Sequence, residues 1–200
     1  EGSSLADLKK LIELNDIEET INIMDPQLEE LFEVMNPNLI HTNVFETERE
    51  KFKNSMRKEG VTAGSWIYYP WNKKLVNMLT EDDFFTLRTN RNRNLITIED
   101  QKKLYNINVG ILGLSVGNST AVNLAYSGFA KRLKMAEFDT LSTTNLNRVK
   151  ASIFDIGKSK LSITAKQIYE INPYAEMQFF TEGITHSNLT KFLTSDPKLD

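Results

Sequence analysis

The sequence has no cysteine. This excludes disulfides, a zinc site built on thiolates and any cysteine nucleophile from this chain, so catalysis here cannot run through a thioester. Nor is there a marked excess of one charge: 24 basic against 27 acidic residues give a net charge of -3, which is not the signature of a nucleic-acid binder or a polybasic membrane surface. No apolar run approaches the roughly 18 residues of a membrane span. The opening stretch Glu1-Gly2-Ser3-Ser4-Leu5-Ala6-Asp7 lacks the basic and apolar pattern of an export signal. Internal repeats, low-complexity tracts and Gly/Ser-rich linkers are missing as well. What remains is a chain of 200 residues, 40% hydrophobic, long enough for a sizeable core. It reads as cytoplasmic, with neither nucleic acid nor membrane among its partners.

The first part of the chain, 1–87, reads as a mainly helical region of unassigned role. Apolar residues recur at helical spacing from Ser4 to Glu33, broken at Asn15-Asp16 and Asp25-Pro26, which predicts two or three short helices. Ser4 suits the cap of the first, and Asp25 with Pro26 suits the start of another, since proline has no N–H to lose there. Asn36-Pro37-Asn38 ends the run. The charged stretch Glu46 to Lys58 predicts an exposed helix stopped by Glu59-Gly60. Ser65-Trp66-Ile67-Tyr68-Tyr69-Pro70-Trp71 is β-prone, with Pro70 confining it to an edge or a strand end; its aromatics suit a binding surface or the core, and ordinary burial preference favours the core. From Pro70 to Leu79 a helical pattern is expected again, followed by a helix capped by Thr80. An arginine-rich connector, Arg88-Thr89-Asn90-Arg91-Asn92-Arg93-Asn94, marks the boundary, and Thr97 opens a short helix running to about Leu104.

From 88 to 200 the pattern changes to alternating strands and helices. Strands are expected at Asn108 to Leu112, Leu133 to Phe138 and Met177 to Phe180, with helices over Asn118 to Tyr126 and Lys158 to Ile171. This βαβαβ order predicts an α/β fold, an incomplete Rossmann-like, doubly wound parallel sheet.

Gly113-Leu114-Ser115-Val116-Gly117 follows the first strand and opens a helix, where amide groups and the positive end of the helix dipole favour a phosphate. Gly113 permits the tight turn, and Gly117 lets the backbone approach a ligand. Twenty residues on, Glu137 ends the second strand, placed for ribose hydroxyls. The spacing fits a nucleotide without choosing one. Gly-x-Ser-x-Gly also matches the nucleophile elbow of α/β-hydrolases, with Asp155 and His186 to complete a triad, though such an elbow normally follows several strands of its sheet. A third reading leaves the glycines to helix–strand packing alone. His41 and His186 have no partnered spacing.

The segment Glu137-Phe138-Asp139-Thr140-Leu141-Ser142-Thr143-Thr144-Asn145-Leu146-Asn147-Arg148 resembles the acidic-x-Asp, spacer, Asn-Leu-x-Arg signature of the ThiF/MoeB family, adenylyltransferases that activate ubiquitin-like proteins. Asp155-Ile156-Gly157-Lys158-Ser159-Lys160 and Ile171-Asn172-Pro173 follow at family-like distances, and Arg88-Thr89-Asn90-Arg91-Asn92 is similar to the arginine segment that precedes the family's first strand. The glycine turn departs from the family's Gly-x-Gly-Gly-x-Gly.

The resemblance implies ATP and magnesium as cofactors. Gly113, Ser115, Gly117, Glu137 and Asp139 would form the nucleotide cradle, Glu137 taking the ribose, while Asn145 and Arg148 contact phosphates and Lys160 lies near the α- and β-phosphates. Arg91 would reach the nucleotide of a neighbouring subunit, which implies a homodimer. Arg148, Lys160 and Arg91 are thus the expected catalytic groups, and the partner is a small ubiquitin-like or sulfur-carrier protein, or a peptide. The family's magnesium aspartate follows a further strand, so this chain reads as a fragment of a longer ThiF-like polypeptide, inactive alone, with further domains downstream, some nitroreductase-like in similar proteins. The alternatives are an NAD-dependent oxidoreductase, which has no need of Arg148 or Lys160, and a non-catalytic scaffold that binds a partner protein.

Overall fold

The computed structural model describes residues 5–57 and 64–200, with the side chain of Leu5 left out. The expected Ser4 cap and the Glu59-Gly60 helix stop lie outside the described residues. The chain divides into two compact units, Glu1–Arg91 and Asn92–Asp200.

The first unit holds helices α1 (Leu5–Leu14), α2 (Met24–Met35), α3 (Phe45–Met56) and α4 (Glu81–Arg88), and strands β1 (Glu19–Asn22), β2 (Ser65–Tyr69) and β3 (Lys74–Met78). The strands form a sheet in the order β1-β3-β2, parallel between β1 and β3 and antiparallel between β2 and β3. This sheet corrects two helical expectations. Ile17, Ile21 and Ile23 fit a helical period, but the segment Glu19–Asn22 pairs as an extended edge, with Ile21 opposite Val76. The Pro70 to Leu79 run is the return arm of a hairpin. Its turn passes through Lys73 at φ 53, after which Leu75 and Asn77 alternate inward. The aromatic stretch ends on a buried Tyr69 and packs Trp71 edge-on against it, with ring centroids 5.3 Å apart.

Two local details of this unit also differ from expectation. Asp25 lies inside the first turn of α2 and does not cap it; the side chain of Asn22 accepts the Met24 N–H instead. The charged helix α3 is not simply a solvated face, because Phe45 and Lys53 are buried. Phe32 meets both Phe45 and Phe52, while the Lys53 ammonium is shared by Glu29 and Glu50. The core gathers Met24, Leu28, Leu31 and Leu79. Thr80 stands at the N-cap of α4 with extended backbone.

In the second unit Thr97 caps α5 (Ile98–Asn106), accepting the Asp100 N–H. The expected alternation follows: β4 (Asn108–Leu112), α6 (Gly117–Ser127), β5 (Arg132–Ala136), α7 (Lys160–Ile171), β6 (Glu176–Phe180) and a short α8 (Leu189–Thr194). The sheet is parallel, in the order β4-β5-β6. β5 lies in the middle and is buried at four of its five positions, the near-continuous apolar pattern of a strand covered on both faces. Leu133 and Met135 join the core beneath α6 and α7, with Ile111, Ala121, Leu161 and Ile168. Lys134, pointing the other way, donates to the carbonyls of Phe192 and Ser195 at the end of α8. Helices therefore cover both faces. Asp200 returns to the start of β4, exchanging hydrogen bonds with Asn108.

Candidate functional site

At the C-terminal end of this sheet, where open α/β folds bind their ligands, the turn from β4 into α6 is held by two features. Gly113 sits at φ +79, a left-handed conformation in which its Cβ position is open. Gly117 faces inward: a Cβ there would meet Ile111 Cγ2 at 2.7 Å, so its missing side chain serves close helix–strand packing in addition to any approach to a ligand.

The turn is stapled by Glu137, which is buried. Glu137 Oε2 accepts the Leu114 N–H at 2.7 Å, and Oε1 accepts the Phe138 and Asp139 N–H groups, both at 2.9 Å. Three of about four acceptor sites on this carboxylate are thus occupied by backbone. The Ser119 N–H closes on Val116 O at 3.2 Å. Between these two bonds lie the amides of Ser115 to Asn118, at a helix end where amide hydrogens meet no carbonyl within the helix.

Beyond β5 the chain makes a closed loop. Leu141 N–H donates to Lys158 O and Gly157 N–H to Leu141 O, each at 2.8 Å, while Leu141, Val149 and Ile163 form the loop's own small core. This closure brings the first residue of α7 back to the glycine turn. Lys160 is 3% exposed, and its ammonium lies 2.9 Å from Asp139 Oδ2 and 3.3 Å from Ser115 Oγ. Glu137, Asp139, Ser115, Lys160 and the two glycines therefore converge.

The other expected groups are placed differently. Asn145 is buried and shapes the turn: its Oδ1 accepts Ser142 N–H at 3.2 Å, and its carbonyl accepts the Arg148 N–H at 3.0 Å. Arg148 is exposed and donates to Thr144 O and Asn147 Oδ1, neither of them part of the lysine cluster. Arg91, in the 3-10 stretch Asn90–Asn94, is exposed.

The hydrolase triad is not assembled. The Asp155 carboxylate caps its own turn at Ser152 and pairs with Lys158 at 3.0 Å; burial pushes it up, but Lys158 and the Ser152 N–H and hydroxyl outweigh this and hold it below the ordinary aspartate value. Ser115 faces an ammonium instead of a histidine, and His41 and His186 are both exposed. Among the described residues no group of three or more His, Asp and Glu side chains could hold a metal ion, and no helix is long and apolar enough to cross a membrane.

Sequence reasoning missed Asn118, the one fully buried polar side chain of α6. A signal was there: Asn118, Ala121, Val122 and Ala125 follow the helical period and share the buried face.

Comparisons with known proteins agree with this geometry. The model of the ThiF family matches residues 89–200. An uncharacterized protein of Mycobacterium tuberculosis (strain CDC 1551 / Oshkosh) is 40% identical over 131 residues, 66% of this chain and 18% of that protein. A probable molybdopterin-synthase adenylyltransferase of Porphyra purpurea is 30% identical over 100 residues, 49% of this chain and 26% of that protein. Among solved structures, the E. coli tRNA N6-threonylcarbamoyladenosine dehydratase TcdA, in complex with ATP, aligns with a TM-score of 0.51 at 22% identity, over 54% of this chain and 45% of that one. That likeness is one of fold. The chain spans about a fifth to a quarter of the length of the curated relatives it matches.

Proposed function

The chain belongs to the ThiF family, and from that premise we propose that it carries the nucleotide-binding half of an ATP-dependent adenylyltransferase acting on the C-terminal carboxylate of a ubiquitin-like or sulfur-carrier protein, or of a peptide. The observation that carries the reading is Lys160, an ammonium brought 45 residues along the chain to within 3.3 Å of the turn's own Ser115. A dinucleotide oxidoreductase does not need a cation there, whereas a reaction between two anions does.

In that reaction a carboxylate oxygen bonds to the α-phosphorus of ATP, the bond from that phosphorus to the bridging oxygen breaks, and pyrophosphate leaves. The product is an acyl-adenylate. No protein nucleophile is needed, in keeping with a sequence without cysteine. The chain's task is to position both anions and to supply positive charge where it accumulates. The amides of Ser115 to Asn118 and the α6 dipole suit the phosphates. Lys160, its ammonium against Asp139 Oδ2 and Ser115 Oγ, would serve the α- and β-phosphates. Arg148, exposed, is the second cation of this reading, and Asn145 sets the turn from which it extends. Glu137 keeps about one acceptor site for the ribose, and the half-exposed Asp139 is the second carboxylate at that end of the strand.

Magnesium would bring charge neutralisation of the phosphates; such ions are commonly held by one or two carboxylates and the phosphates themselves. The trans role of Arg91, the homodimer it requires and the separation of a first region at 1–87 from the nucleotide domain at 88–200 belong to the same reading. Kinship supports the substrate class: one relative is a probable molybdopterin-synthase adenylyltransferase.

Titration of the chain with magnesium-ATP and with NAD tests this. ATP binding that is lost in Arg148→Ala supports adenylation, and preference for NAD overturns it. Binding of neither nucleotide leaves the scaffold reading in its place.

A further inference from the structure

We infer that Asn118 is a positioning residue of this site, its buried amide fixing the two segments that carry Lys160 and Arg148 against the helix that starts at the glycine turn. Asn118 has no exposed surface, and Thr164, its partner on α7, has none either. Its Nδ2 spends both hydrogens on α7, donating to Thr164 Oγ1 at 2.8 Å and to Gln167 Oε1 at 2.9 Å. Its Oδ1 accepts the Lys150 N–H at 3.1 Å.

These bonds close on themselves. Gln167 Nε2 donates back to Lys150 O, so Asn118, Gln167 and the Lys150 backbone form a ring that grips the chain two residues past Arg148. The Thr164 hydroxyl passes its own hydrogen to Lys160 O at 2.8 Å, tying the first turn of α7 into the same network. Three elements distant in sequence thus meet on one side chain: the first turn of α6, the Lys160 end of α7, and the strand of loop that follows Arg148. The network's Thr164 side is unforgiving, because a donor lost there leaves an acceptor without its hydrogen away from water, while the Gln167 and Lys150 side is only partly buried.

Residue type matters as much as burial. Aspartate has the shape of Asn118 and keeps the acceptor for Lys150, but it has no hydrogen for Thr164 or Gln167 and sets a carboxylate against the Gln167 oxygen. Gln167→Met opens the ring from the half-buried side and leaves Asn118 in place.

The purpose of the alignment rests on the nucleotide reading above; the alignment itself does not. The test therefore measures both in the wild type, Asn118→Asp and Gln167→Met. Hydrogen exchange at the Lys150 amide and the rate of acetylation of the Lys160 amine, both followed by mass spectrometry, report the geometry. Calorimetric titration with magnesium-ATP reports its use. We expect each variant to lose about tenfold or more of Lys150 protection, to react severalfold faster at Lys160 and to bind ATP about tenfold more weakly, while circular dichroism stays that of the wild type. Unchanged exchange and acetylation in folded variants would overturn the linkage. Altered geometry with unchanged ATP affinity would overturn the positioning role. If the wild type binds no ATP, the adenylation reading falls, and Lys160 acetylation alone decides whether Asn118 sets that amine. Should Asn118→Asp not fold, Gln167→Met carries the same decision.

Discussion

Lys160 and Asp139 meet twice: the ammonium donates to Asp139 Oδ2 at 2.9 Å, and the backbone N–H of Lys160 donates to Asp139 O at 3.1 Å. The residue that ends the β5 acidic motif and the residue that begins α7 are in this way one structural unit. The lysine is buried and the aspartate half exposed, so the ammonium reaches a ligand at the turn only by way of Asp139 and Ser115.

Removing the ammonium should therefore cost nucleotide binding more than it costs the fold. Lys160→Met keeps most of the volume and loses a charge-assisted contact, for which roughly tenfold or more in ATP affinity is expected, on the order of 1.5–3 kcal/mol. Asp139→Asn leaves the buried amine with a weaker partner, and because that carboxylate is half in water the loss of stability should stay near about 1 kcal/mol. Calorimetry on the first variant and denaturant unfolding on the second check the pair. A lysine variant that binds ATP as tightly as the wild type would remove Lys160 from the site.

Gly117 gives a prediction in which packing alone decides. In Gly117→Ala the new methyl meets Ile111 Cγ2 at 2.7 Å, so about 1–3 kcal/mol of stability should be lost to overpacking. The clash has one named partner. In an Ile111→Ala background the same substitution should cost markedly less, and a double-mutant cycle by urea unfolding should return a coupling energy of about 1 kcal/mol or more. Additive effects would show that the glycine is there for another reason.

The second unit was legible because its punctuation is strong. Gly113 and Gly117 bracket one strand-to-helix turn and Asn172-Pro173 ends a helix, so each element had a start and a stop. The first unit was not. Ile17, Ile21 and Ile23 satisfy a helical period as well as an extended one, and a run that short is arbitrated by its partner strand, which lies more than fifty residues away at Val76. At the site, spacing selected Glu137, and the family resemblance selected Asp139 and Lys160. They did not reveal that Glu137 uses its carboxylate to hold three backbone amides, since that depends on side-chain length and the path of a turn. The resemblance assigns Asn145 to a phosphate, and its side chain also shapes the bend before Arg148. An amide suits both tasks, and sequence does not separate them.

Glu176 carries an acid-dependent part of the stability. It begins β6 opposite Arg132 and pairs with Lys131 at 2.9 Å and with Arg132 at 3.2 Å. The Lys131 hydrogen bond is the main reason its carboxyl lies below the ordinary value of 4.5, with burial opposing and both nearby charges helping. A carboxyl lowered on folding stabilises above its unfolded pKa, and that contribution is lost as pH falls through the folded value. Because the side chain is half exposed the amount is small, under about 1 kcal/mol. Wild type should therefore exceed Glu176→Gln in thermal stability near neutral pH, with the difference shrinking as pH falls below about 4.5 and on through the lower folded value. A difference that persists well below the folded value, where the carboxyl is protonated in both states, would assign it to something other than charge.

Lys134 makes the opposite case, a charge whose burial is unfavourable in itself and whose hydrogen bonds retain it. It is 2% exposed in the middle strand, and its amine donates to Phe192 O at 3.0 Å, Ser195 O at 2.7 Å and Ser195 Oγ at 3.0 Å. The first two are carbonyls at the end of α8, where a helix has none of its own amides left to give, and the third is the Ser195 hydroxyl. Burial lowers the amine's pKa below 10.5, with Asp196 partly opposing. Lys134→Met, similar in length, removes the desolvation penalty but orphans the acceptors, so a net loss of about 1–3 kcal/mol is expected at neutral pH. Exchange of amides over 189–200 should rise before the rest of the sheet loosens. The pH dependence has a definite sign. Between the lowered folded pKa and 10.5 the unfolded chain holds a proton that the folded chain has released, so stability increases with pH there. The wild type's advantage over Lys134→Met should accordingly grow as pH rises toward 10.5, because the neutral amine keeps hydrogens to donate and no longer carries a buried charge. An advantage that shrinks over that range would mean that the charge, and not the hydrogen bonds, is what holds α8 in place.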